Sequence, residues 1–142
     1  MNNLELTVLQ PKELNKSAKI ILVDDIPAVL DSIECCLREG FRNVSILKFT
    51  DGELAWREIV REKPDYLISD LLRSGLNGFG LLRRLAREKA KFPILILSAV
   101  LEGSQSAAAR CAGSNLNVSF LGKPFSVTQL LAIVARGLRQ QN

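Results

Sequence analysis

The sequence predicts an α/β fold, a doubly wound parallel sheet of five strands with helices on both faces. Three observations carry that prediction. Short apolar runs alternate five times with amphipathic stretches, the order of β/α units. Most of the runs are apolar along their length, as strands covered on both faces are. At 142 residues the chain also has one domain's worth of material, enough to bury a core without disulfides or metal staples.

The first strand is Lys19 to Val23, inside the stretch "IILVDDIP" at residues 20–27. Val29, Ile33, Cys36 and Leu37 then recur at helical spacing. Pro27 opens this helix, because a first-turn proline sacrifices no intrahelical hydrogen bond. Val44 to Phe49 is the second strand, and "TDGE" at residues 50–53 has the capping-box form, with Thr50 as cap and Glu53 reaching back. The third strand is Tyr66 to Ser69, followed by a helix from about Gly78 to Ala90 on Leu81, Leu82 and Leu85. The fourth strand, Ile94 to Leu97, leads to a small-residue helix near Ser104 to Ala112. Val118 to Leu121 is the fifth strand, and "SVTQ" at residues 126–129 is a second capping box ahead of Leu130, Leu131, Val134 and Leu138. No internal repeat or low-complexity linker interrupts this order. Residues 1–17 are a tail, expected to be disordered or to dock on the domain, and residues 18–142 form that single domain.

Composition narrows the function. Hydrophobic residues make up 47% and charged residues 24%, an ordinary globular balance. No apolar run approaches the length of a membrane span, and the start has neither a basic leader nor an apolar segment, so a cytoplasmic protein with no membrane contact is expected. Cys35, Cys36 and Cys111 are odd in number and lack C-x-x-C spacing, which predicts reduced, mostly buried thiols. The chain has no histidine, which removes the usual general base and metal ligand. The net charge is +4, but the densest basic run, "RRLAREKAK", mixes Arg83, Arg84, Arg87, Lys89 and Lys91 with apolar positions. On a helix this is a solvated face, and with no second helical module to read a groove, direct DNA binding is not expected.

In an open parallel sheet the carboxyl ends of all strands meet along one edge, where ligands bind. The residues there are Asp24 and Asp25 after the first strand, Asp70 after the third, Ser98 after the fourth and Lys123 after the fifth. Two carboxylates about 4 Å apart repel by roughly 4 kcal/mol at an effective dielectric of about 20. Solvent on an open turn could offset this, and so could a hard divalent cation, which takes oxygen ligands. Three carboxylates, a divalent ion, an ammonium and a phosphoryl group would make a nearly neutral cluster.

With D-D, D, S-A and K-P-F in that order at the ends of strands one, three, four and five, the chain resembles a receiver domain of two-component response regulators, of the stand-alone type. The resemblance covers about residues 18 to 140. It implies the flavodoxin-like strand order 2-1-3-4-5. It also implies that Asp70 is the phosphoacceptor, attacking the phosphohistidine of a sensor histidine kinase or histidine phosphotransfer protein. Asp24, Asp25, Asp70 and the backbone carbonyl of Leu72 would hold Mg2+, while Lys123 and Ser98 would bind phosphoryl oxygens, with Ala99 leaving room. The Lys123–Pro124 bond would be cis. Ser98 and Phe120 would form the switch, altering the surface of helix four, strand five and helix five that a downstream protein target reads. The chemistry is on the chain itself, so it is not expected to be an enzyme in the turnover sense.

The chain departs from the family pattern in two places. In "DLLRSGLNGFG", Arg73 and Ser74 replace the usual methionine-proline pair and Asn77 precedes Gly78, so kinase recognition is expected to change. The segment between Gly113 and Lys123 is longer than usual. Leu72 and Val100 match positions that tune phosphoryl lifetime, and both being apolar predicts slow decay. The competing reading is a pseudo-receiver, a phosphorylation-independent interaction module. An enzyme on the same architecture lacks support, since no G-x-G-x-x-G or P-loop follows the first strand. Homodimerisation through helices four and five is open, with no residue singled out for it.

Overall fold

A computed structural model describes residues 14, 16–73, 75–99, 104–113 and 115–139. Among the described residues five strands alternate with five helices: β1 (Ala18–Val23), α1 (Pro27–Gly40), β2 (Val44–Phe49), α2 (Gly52–Glu62), β3 (Tyr66–Asp70), α3 (Gly78–Arg87), β4 (Ile94–Ala99), α4 (Ser104–Ala112), β5 (Val118–Lys123) and α5 (Val127–Arg139). The sheet is parallel in the order β2-β1-β3-β4-β5, as the resemblance implies.

Alternation along the strands divides the core into two layers. Ile20 and Leu22 of β1, with Tyr66 and Ile68 of β3, pack beneath α1 and α5 on Leu30, Ile33, Leu130 and Val134. Ile21 and Val23, with Leu67 of β3, face the other way onto α2, α3 and α4, against Ile59, Leu81, Leu82 and Ala108. Burying each such aliphatic side chain contributes about 1.5 to 3 kcal/mol relative to leaving it exposed. The central strand β3 is buried along its whole length. Its polar end therefore sits in an apolar surround.

Register brings the strand ends level. Val23 pairs with both Phe49 and Ser69, Asp70 pairs with Leu97, and Ala99 pairs with Lys123. Residues that follow Val23 thus stand beside the end of β3.

Three expectations are corrected. Asp51, not Thr50, caps α2, accepting from the backbone N–H of Glu53 at 2.8 Å and of Leu54 at 3.3 Å. A charged carboxylate is the stronger acceptor. The Glu53 side chain does not reach back; it takes two bonds of 2.8 Å from Arg84 on α3. Helix α3 stops at Arg87, ahead of the expected Ala90, because Lys89 adopts φ 55°. Its N–H bonds Ala86 at 3.1 Å while that of Ala90 bonds Leu85 at 3.0 Å, the paired bonds of a left-handed helix end. The thiols are free, but Cys35 is exposed and Cys36 and Cys111 only partly buried. The second capping box forms as expected, Gln129 N–H donating to Ser126 Oγ at 3.1 Å and Ser126 N–H to Gln129 Oε1 at 2.9 Å.

At the chain's start, Leu14 exchanges two backbone bonds of 2.9 and 3.0 Å with the Asn43 side chain. The rest of the expected tail, apart from residues 16 and 17, lies outside the described residues, as do Ser74 and Val100. No helix among the described residues is long and apolar enough to cross a membrane.

Candidate functional site

The end of β1 separates its two carboxylates. Asp24 is turned inward and only 2% exposed, whereas Asp25 is exposed. Asp24 Oδ1 accepts the backbone N–H of Ile26 at 2.9 Å, closing the turn that leads into Pro27 and α1. Its Oδ2 accepts from Lys123 Nζ at 3.4 Å. Part of the repulsion in "VDD" is therefore relieved by the protein itself.

At the end of β3, Asp70 is 5% exposed. One carboxylate oxygen from each of Asp24, Asp25 and Asp70 lies within 4.8 Å of the others, a spacing that a single cation can bridge. An all-oxygen set of this kind fits a hard divalent ion. Beside it, a cavity of about 140 Å³ is lined by Asp70, Leu71, Leu72, Leu97, Ser98, Ala99 and Lys123. All five predicted polar groups meet here. The Lys123–Pro124 bond is cis.

Burial pushes the Asp70 carboxyl up to about 6, against the pull of the Arg73 guanidinium and with the help of the Asp24 and Asp25 charges. Ser98 is buried at the end of β4, which pairs it with Gly122 and places Ile96 beside Phe120. Ser98 and Phe120 consequently share one face of the sheet, diagonal to each other. Phe120 is partly buried against the layer under α3 and α4. The Leu72 side chain stands 55% exposed at the cavity mouth.

The Arg73 side chain is wholly buried and turned into the site. Nη1 donates to Asp70 Oδ1, to the Asp70 carbonyl at 3.1 Å and to Ser69 Oγ at 3.0 Å. Ser69 in turn donates to the Asp70 carbonyl at 2.8 Å. Arg73 Nε and Nη2 are buried with no hydrogen-bond partner among the described residues. The signal available in the sequence was a cation three residues beyond Asp70; the direction of its side chain was not.

The family of the response regulator receiver domain matches residues 20–135. Response regulator GtcR of Aneurinibacillus migulanus is 33% identical over 125 residues, covering 87% of this chain and 49% of that protein. Response regulator MprA of Mycobacterium leprae (strain TN) is 33% identical over 122 residues, covering 86% and 51%. The chain thus spans about half the length of the curated relatives it matches. Among solved structures, a putative response regulator from Chloroflexus aurantiacus J-10-fl is 30% identical with a TM-score of 0.73, over 87% of this chain and 99% of that one. The receiver domain of sensor histidine kinase PA1611 from Pseudomonas aeruginosa PAO1, solved with a magnesium ion coordinated in its active-site cleft, is 28% identical with a TM-score of 0.74, over 87% and 99%.

Proposed function

Because the chain belongs to the response regulator receiver domain family, we propose that Asp70 takes a phosphoryl group from a phosphohistidine on a sensor kinase or phosphotransfer protein. The observation that carries this reading is that the carboxylate cluster of Asp24, Asp25 and Asp70 adjoins, through Asp70, a small cavity at the sheet edge that Ser98 and Lys123 also line.

An Asp70 oxygen forms the new O–P bond as the donor's N–P bond breaks, and the departing imidazole keeps the electron pair. Little covalent chemistry is asked of the other residues; they position and neutralise. Lys123 moves its ammonium from Asp24 toward the phosphoryl oxygens as a point charge. Ser98 donates its hydroxyl to another oxygen. Leu71 and Leu97 keep that side of the cavity apolar. Asp24, Asp25, Asp70 and the Leu72 carbonyl would hold Mg2+, whose charge would offset that of the three carboxylates when phosphoryl oxygens approach.

The output is a two-state change. Drawing Ser98 inward frees space behind it for Phe120, which alters the face made by α4, β5 and α5 for a downstream protein. The chain modifies only itself and turns over no separate substrate.

Intact mass after incubation with acetyl phosphate tests the chemistry. The expected result is one phosphoryl adduct that requires Mg2+ and is lost in Asp70→Asn. One observation favours the alternative, a phosphorylation-independent module: the Arg73 guanidinium already occupies Asp70. A folded protein that takes no adduct, beside a receiver that does, would select that alternative.

A further inference from the structure

Arg73 is an unusual neighbour for a phosphoacceptor. A buried guanidinium ordinarily has acceptors for its nitrogens, because an unpaired buried donor is costly. Here Nη1 carries all the bonding while Nε and Nη2 have no partner among the described residues. The ion pair with Asp70 is thus what holds the side chain inside.

Charge explains why it stays. Asp24, Asp25 and Asp70 bring three negative charges to the rim and Lys123 brings one positive, so the cluster without Arg73 is short of positive charge. Arg73 supplies one more. A divalent cation among the same three carboxylates would supply two, and would share the Asp70 carboxylate with the guanidinium. Two cations cannot both be desolvated there without repulsion. The flexible arginine is the one that can leave, and leaving hydrates its two unpaired nitrogens.

We propose that Arg73 is a tethered cation of the acceptor site that competes with the divalent ion for Asp70, so that its release sets the site's metal affinity. The proposal rests on the three carboxylates forming a divalent-cation site. Arg73 acts here as a positioning residue, through Asp70.

Calorimetric titration of the full chain with Mg2+ tests it, without any phosphoryl donor. Arg73→Gln is expected to bind Mg2+ about tenfold more tightly than wild type, a change equivalent to 1.4 kcal/mol. Arg73→Lys, which keeps the charge, should stay close to wild type. Equal or weaker binding by Arg73→Gln, or no binding by either protein, overturns the proposal. A measurement on wild type stands if the glutamine variant does not fold. The Arg73 Nε–H proton should exchange slowly with solvent in metal-free protein and rapidly once Mg2+ saturates the site. Persistent protection at saturation overturns the competition. A protein that behaves as stated in both tests yet takes no phosphoryl group would sink the acceptor function and leave the competition intact.

Discussion

Asp24 and Asp25 are adjacent in sequence and opposite in environment, the first 2% exposed with both oxygens engaged and the second in solvent. Their substitutions should therefore separate binding from stability. Asp25→Asn should leave the unfolding free energy within about 0.5 kcal/mol of wild type, as exposed changes do, while weakening Mg2+ binding. Asp24→Ala also removes the acceptor for Ile26 N–H, and should cost about 1 kcal/mol in addition. Urea melts beside Mg2+ titrations read both effects. Equal stability losses would contradict the division of roles.

The raised Asp70 carboxyl predicts a pH effect of definite sign. Its folded-state value, about 6, exceeds the ordinary 3.8, so between them the folded protein holds a proton that the unfolded chain has released. Without divalent cation, that contribution to stability is complete below the lower value and is lost as pH rises through about 6. Glu34 and Glu53, held down by Lys48 and by Arg84 respectively, act in the opposite sense at lower pH. The difference between wild type and Asp70→Asn in thermal melts across pH isolates Asp70. A flat difference curve would refute its raised value.

Leu72 lines the cavity and is 55% exposed, where an apolar side chain would obstruct water attacking the phosphoaspartate proposed above. Leu72→Asn should shorten the phosphoaspartate lifetime by about tenfold, or 1.4 kcal/mol of barrier. Loss of the mass adduct with time, after removal of donor, gives the rate directly. An unchanged or slower rate in the variant counts against this role.

Gly78 opens α3 against the end of β3. A Cβ there would lie 2.7 Å from the Asp70 carbonyl oxygen and 2.8 Å from Leu71 Cα, both backbone atoms that cannot swing aside. Gly78→Ala should cost roughly 1 to 3 kcal/mol, the usual penalty of overpacking, and should also slow phosphoryl uptake by shifting Asp70. Gly75→Ala is the control. Its φ of +72° strains the backbone, but nothing lies within 4 Å of the added carbon, so stability should fall while uptake is kept.

Strand and helix positions were legible because burial on two faces imposes apolar runs and helical spacing that survive in the sequence. The acidic rim was legible for a geometric reason: parallel strands in level register deliver their next residues to one edge, so Asp24, Asp70, Ser98 and Lys123 could be placed together before any distance was known. Arg73 was not. It sits in an irregular stretch where no period tells which way a long side chain turns. The α2 cap went to Asp51 because a tertiary partner, Arg84, drew Glu53 away from the local box. The early end of α3 depends on a left-handed lysine, where glycine is the residue that usually announces such a stop.

The bond from Lys123 to Asp24 joins residues 99 positions apart. A chain leaving the ribosome has the Asp70 carboxylate long before it has the ammonium, since β5 follows the other four strands of this sheet in the chain and docks at the sheet's edge. Contacts of such long range form late in folding. On the function proposed above, the site is complete only once β5 has joined the sheet, and a chain clipped before β5 would carry Asp70 without the ammonium of Lys123.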